Sequence, residues 1–174
     1  LIAFAFYLIE IKIADKLTEG VSCIIRHVSN QDLESLSVFL LKNQLNPTAY
    51  AVLKKLIKRA PSPKNFNNLA SALMRLGKYE DAQKLLISAT NRTDFSDDMR
   101  MNLGLCFYKT NCLVEAQKTF HKLIKSEKYL TDALPKLLNI TLQLGNWEGG
   151  RNVLDEINFQ AKSGKRIHPF STLY

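Results

Sequence analysis

A chain of 174 residues, 46% of them hydrophobic, can bury a core, and with only 7 glycines and 5 prolines it is poor in the turns an all-β fold needs. The net charge of +8 allows attraction to nucleic acid or an anionic membrane without establishing either. The three cysteines, Cys23, Cys106 and Cys112, form neither an even set nor a CxxC pair. That argues against a disulfide framework or a zinc site and fits reduced thiols in the cytoplasm.

Leu1 to Ile9 is an unbroken apolar run, interrupted by Glu10 and Lys12. A membrane span needs about 18–20 apolar residues, so this run does not supply one. A basic start and a small-residue cleavage site, the signs of a secretory signal, are not evident. The chain begins with Leu, and its start reads as a cut from something upstream. Residues 1–28 carry no clear period and are expected to form one or two helices that cap or continue the helical stack beyond residue 28.

Residues 29–62 are expected to form a degenerate hairpin. Leu36 and Leu40 belong to its first helix, Asn46-Pro47 make the turn and the next helix start, and Ala49, Leu53 and Leu56 occupy the second-helix positions. Pro61 closes the unit. Within residues 51–65, Lys54, Lys55, Lys58, Arg59 and Lys64 occur with no acid among them. A solvated helix face is the expected reading. No aromatic residues alternate with these bases as a base-stacking surface requires, which argues against nucleic acid as a partner.

From Pro63 onward, a 34-residue shift brings three segments into register, starting at Pro63, Asp97 and Thr131. Leu69, Leu103 and Leu137 coincide, followed by Ala70, Gly104 and Leu138. Gly77, Asn111 and Gly145 then fall together, and two places later Tyr79, Leu113 and Trp147. Ala82, Ala116 and Gly150 come next, then Leu86, Phe120 and Leu154, then Ala89, Leu123 and Ile157. Each unit reads as two amphipathic helices joined at a left-handed Gly or Asn. The large residue after the turn, including Tyr79 and Trp147, is expected to fill the wedge between helices. The small residue at 82, 116 or 150 lets the backbones approach. One hairpin cannot bury its apolar face alone, so neighbours must stack.

This pattern resembles the tetratricopeptide repeat family over about 100 residues. The stretch NNLASALMRLGKYEDAQKLLISA in 63–96 and the stretch MNLGLCFYKTNCLVEAQKTFHKLI in 97–130 match best. The third unit, 131–162, is degenerate: Leu138 and Gly150 replace the usual small residue and alanine. Its Pro135 is tolerable if the helix begins near Thr131, so that the proline falls within the first turn. The resemblance implies an all-α fold, a right-handed superhelical stack of antiparallel helix hairpins whose inner groove is lined by the first helices. Its partners would be proteins or extended peptides.

Asn68 and Asn102 take identical places in successive units, just before the aligned leucine. A carboxamide is donor and acceptor together, so such a row suits a peptide backbone without reading its sequence. Lys136 stands in that place in the third unit. Two readings stay open: a peptide-binding row, or ordinary exposed polar residues. His27 and His121 are isolated. No nucleophile elbow or phosphate loop occurs, so no catalytic site, metal or cofactor is expected.

Beyond Gln160 the apolar period fades. Residues 163–174 read as a linker, Ser163-Gly164-Lys165-Arg166 and then the extended start His168-Pro169-Phe170. The junction from Asn146-Trp147 to Leu173-Tyr174, with the asparagine row, resembles protein O-GlcNAc transferases and their SPINDLY-type relatives. The resemblance implies an acceptor-presenting arm and a C-terminal catalytic domain that would come after Tyr174. Some members carry a sugar-site histidine where this chain has Phe170, so that role does not transfer, and His168 is assigned no catalysis. The alternative is a stand-alone scaffold.

Overall fold

The computed structural model describes residues 27–90 and 94–164, and among these all regular structure is helical. The expectations for residues 1–26, including Cys23, and for the junction residues 165–174 lie outside the described residues. Two units are distinguished, residues 27–78 and 79–164.

The first unit holds α1 (Asn30–Lys42), α2 (Asn46–Arg59) and α3 (Pro63–Arg75). Ser29 caps α1 by accepting from the Asp32 amide at 3.1 Å, which satisfies a donor that the first turn leaves without an intrahelical partner. Leu33, Leu40 and Leu41 turn inward against Ala49, Val52, Leu53 and Leu56 of α2. Gln44, at φ 60, reverses the chain, and the Leu45 amide closes on the Leu40 carbonyl at 2.9 Å. Pro47 and Pro63 sit in the first turns of α2 and α3, where a missing amide hydrogen costs nothing. Ser62 caps α3 through the Asn65 amide at 3.2 Å.

The second unit holds α4 (Tyr79–Thr90), α5 (Asp97–Lys109), α6 (Leu113–Leu123), α7 (Leu130–Gln143) and α8 (Trp147–Lys162). Ser96 caps α5 at the Met99 amide, and Asp97 and Asp98 complement the positive end of that helix. Asn111 at φ 60 turns the chain into α6, and Gly145 at φ +72 turns it into α8. Asn146 caps α8 by accepting from the Gly149 amide at 2.8 Å. The core runs through Ala116, Phe120, Leu123, Ala133, Leu134, Leu137 and Ile140, all fully buried.

Pro135 departs from its expected place. Helix α7 begins at Leu130, so the proline is its sixth residue and lies inside the helix, buried, beyond the first turn. It supplies no amide hydrogen to the Thr131 carbonyl. The apolar ring packed into the core offsets that loss. Leu154, expected in the buried stripe with Leu86 and Phe120, is 44% exposed, while those two are fully buried.

Candidate functional site

The polar residues picked out by spacing all lie on first helices of the expected hairpins. Asn68 is on α3 in the first unit, half-buried next to the buried Leu69. Its Nδ2 is closed to solvent with no hydrogen-bond partner. A half-turn of the carboxamide exchanges nitrogen and oxygen, so the group is able to switch what it offers to a partner. Asn102 and Lys136 are on α5 and α7 in the second unit, both half-buried. Lys136 Nζ donates to the Asp132 carbonyl at 2.9 Å. Burial draws its ammonium below the ordinary lysine range, and Asp132 opposes that fall. An ammonium that has lost part of its hydration gains from an added carbonyl or carboxylate acceptor.

Other polar groups cluster near these residues in sequence. In the second unit, Gln143 Nε2 donates to the Tyr108 hydroxyl at 3.2 Å and to Asn139 Oδ1 at 2.7 Å, which ties the end of α5 to the end of α7. In the first unit, an open groove of about 540 Å³ runs along α1 and is lined by Gln31, Glu34, Val38, Phe39, Lys42 and Lys64. Lys64 pairs with Glu34 at 3.4 Å across the groove. Three residues of the basic run have separate partners. Lys54 lies 5.6 Å over the Tyr50 ring, Arg59 donates to the Val28 carbonyl at 3.1 Å, and Lys64 faces an acid.

A second cavity of about 360 Å³ sits between α6 and α8. Leu134 and Val153 floor it, and Gln117, His121, Asn152 and Glu156 border it. His121, isolated in the sequence, gains these neighbours through packing. The signal available in the sequence is weak: 117 and 121, like 152 and 156, are polar pairs four apart and so share a helix face. Among the described residues no group of three His, Cys, Asp or Glu side chains is placed to hold a metal ion.

No protein-family model matches the chain, and no curated protein matches it. Solved structures do. A tetratricopeptide repeat protein from Parabacteroides merdae superposes with a TM-score of 0.68 at 17% identity over 80% of this chain; the match spans 56% of that protein's length. MamA from Desulfovibrio magneticus gives 0.71 at 12% identity over 94% of both chains. YrrB, described as a tetratricopeptide protein with an unusual peptide-binding site, gives 0.65 at 16% identity over 88% of this chain and 80% of its own. The fold is a tetratricopeptide fold.

Within this tetratricopeptide fold, the recurring small positions have a direct packing cause. A Cβ on Gly104 would meet the Phe120 Cζ at 3.0 Å, and one on Gly150 would meet Leu142 Cδ2 at 2.7 Å. Ala82, Ala116, Leu69 and Leu103 are buried, and Tyr79 is half-buried. Gly77, at φ +75, reverses the chain after α3. Trp147 requires a correction. Expected as a wedge in the core, it is 72% exposed at the start of α8, because no described helix packs over that side of the last hairpin.

Cys106 is fully buried, and Cys112 is half-buried at the turn before α6. Burial, with a smaller contribution from the Glu80 carboxylate, pushes the Cys106 thiol up to about 12. Thiolate is the reactive form. Iodoacetamide at pH 8 should therefore leave Cys106 unmodified in the folded protein and label it only in denaturant, as read by mass spectrometry of its peptide. Labelling of Cys106 at the same rate with and without denaturant would show an open core.

Proposed function

We propose that this chain is a protein–protein interaction module whose first-helix faces hold extended segments of partner proteins. The observation that carries this reading is the repeated placement of half-buried polar groups on first helices, Asn68 on α3, Asn102 on α5 and Lys136 on α7. The tetratricopeptide fold supports it, and YrrB, with a similar fold, is described as having a peptide-binding site. We read the repeats as 29–62, 63–96, 97–130 and 131–162, with 1–28 as N-terminal helices and 163–174 leading towards a further domain. A reducing, cytoplasmic setting is supported by the unpaired Cys106 and Cys112. Among the described residues no helix is long and apolar enough to cross a membrane.

The test is the double variant Asn68→Ala with Asn102→Ala. Loss of two side-chain hydrogen bonds, each about 0.5–1.5 kcal/mol, should weaken binding of unrelated extended peptides alike by about 10-fold. Calorimetry on several peptides and an unchanged helical circular dichroism spectrum would establish it. A loss confined to one peptide would contradict a backbone clamp.

The finer reading is an acceptor-presenting arm of an O-GlcNAc transferase-like or SPINDLY-like glycosyltransferase. It is supported by the order Asn146-Trp147, His168-Pro169-Phe170 and Leu173-Tyr174. Reading the coding sequence past Tyr174 tests it. A two-lobed domain of alternating strands and helices would favour the arm, and a stop codon would leave a scaffold.

A further inference from the structure

The cavity between α6 and α8 is rich in hydrogen-bond acceptors and is lined by no lysine or arginine. Thr141, buried in α7, donates its one hydroxyl proton to the Leu137 carbonyl at 2.7 Å. Its oxygen can therefore only accept from Gln117, whose Nε2 stands 3.1 Å away. That fixes which way round the Gln117 carboxamide sits and leaves its Oε1 for an outside donor. On the α8 side, Glu156 Oε1 accepts from Gln160 Nε2 at 2.7 Å, and the second carboxylate oxygen has no partner among the described residues. His121 and Asn152, each four residues from one of these acceptors on the same helix, border the cavity and are exposed.

We propose that this cavity takes an arginine side chain of a partner protein, its guanidinium between Glu156 and Gln117 and its methylene stem on Leu134 and Val153. The chemistry of the walls selects this occupant. A carboxylate oxygen and an amide oxygen together call for a positively charged group that only donates. Guanidinium is planar and carries five N–H donors and no acceptor, so it serves both oxygens at once. The His121 ring offers it a face on which to stack. An ammonium is a compact, strongly hydrated point charge, and it gives up more hydration on entering a site with an apolar floor. An anion would meet the Glu156 charge with no cation in the wall to offset it. Arginine also lays its stem along apolar surface while its head stays with polar groups. At about 360 Å³ the cavity is at the small end of the range of about 300–1,000 Å³ usual for ligand pockets, which suits one side chain. Gln117, His121, Asn152 and Glu156 all lie on second helices. The site therefore stands or falls apart from the groove proposed around Asn68, Asn102 and Lys136.

The test is a nuclear magnetic resonance titration of the isotope-labelled chain with a blocked glycine–arginine–glycine peptide. The side-chain amide signals of Gln117 and Asn152 should shift saturably at millimolar peptide. The same peptide with citrulline, a neutral urea of nearly the same shape, should bind at least about fivefold more weakly. Glu156→Gln should weaken the arginine peptide by a similar factor while the circular dichroism stays helical. Equal affinity for the arginine and citrulline peptides would overturn the proposal, as would the absence of any shift at Gln117 and Asn152. A lysine peptide that binds as tightly as the arginine one would overturn it too, because a point charge would then suffice. These peptide comparisons use the unaltered chain, so they decide the matter even where Glu156→Gln disturbs the fold.

Discussion

Phe120→Ala is expected to lower the stability of the unit spanning 79–164 by about 3–5 kcal/mol. The ring is fully buried in α6 and lies against Gly104 of α5, which has no side chain to move into the vacated volume. Leu123 and Leu137, which share its core, sit on α6 and α7, so collapse would require helices to shift. Urea unfolding monitored by circular dichroism should show a lower midpoint with little change in slope. A loss below about 1 kcal/mol would mean that the ring is not enclosed. The companion change is Gly104→Ala. Alanine favours a helix interior over glycine by about 1 kcal/mol. Here its Cβ would stand 3.0 Å from Phe120 Cζ and 3.2 Å from each Cε, and a fully buried ring has no room to retreat. Steric cost should therefore win, and the substitution should destabilise. In a Phe120→Leu background the contact is relieved, and the same substitution should become neutral or stabilising, a coupling that only direct contact produces.

The helices and their order are readable in the sequence because the apolar period and the turn chemistry agree. A left-handed turn needs glycine or asparagine, so residues such as Gly77, Asn111 and Gly145 announce it, with φ of +75, 60 and +72. Gln44 does the same job at φ 60, but glutamine has no chemistry that signals a turn, and it lies 33 residues before Gly77, one short of the repeat. Trp147 shows a different limit. Periodicity tells which side chain faces a neighbour and not whether a neighbour is there. Helix rules alone put Pro135 in a first turn, whereas burial of its ring decides its position. In the candidate site, residue type and spacing single out Asn68 and Asn102, yet the groove along α1 and the cavity between α6 and α8 depend on which helices meet. Asn65 carries no sequence signal for the same reason: its partner Glu34 is 31 residues away.

Asn65 also gives the sharpest electrostatic test. It is fully buried; its Nδ2 donates to the Ala60 carbonyl at 2.9 Å and to Glu34 Oε1 at 3.1 Å, while its Oδ1 has no partner. Asn65→Asp replaces the donor with a buried carboxylate facing a second carboxylate and a carbonyl oxygen. Lys64 pairs with Glu34 at 3.4 Å but is itself exposed, so it compensates little. The expected loss is about 3–5 kcal/mol at pH 7, the range for an uncompensated buried charge. Burial and Glu34 would both raise the folded-state pKa of the new aspartate above its unfolded value of about 3.9. The loss is then complete above the folded-state pKa, shrinks as pH falls through it, and is nearly gone below the unfolded value. Asn65→Leu removes the donor and the orphaned oxygen together and adds no charge, so its smaller loss should be independent of pH. Denaturant midpoints of the three proteins between pH 7.5 and 4 separate these cases. A gap between Asn65→Asp and the parent that stays constant over that range would mean that water reaches the aspartate, and that α1 and α3 do not close over it.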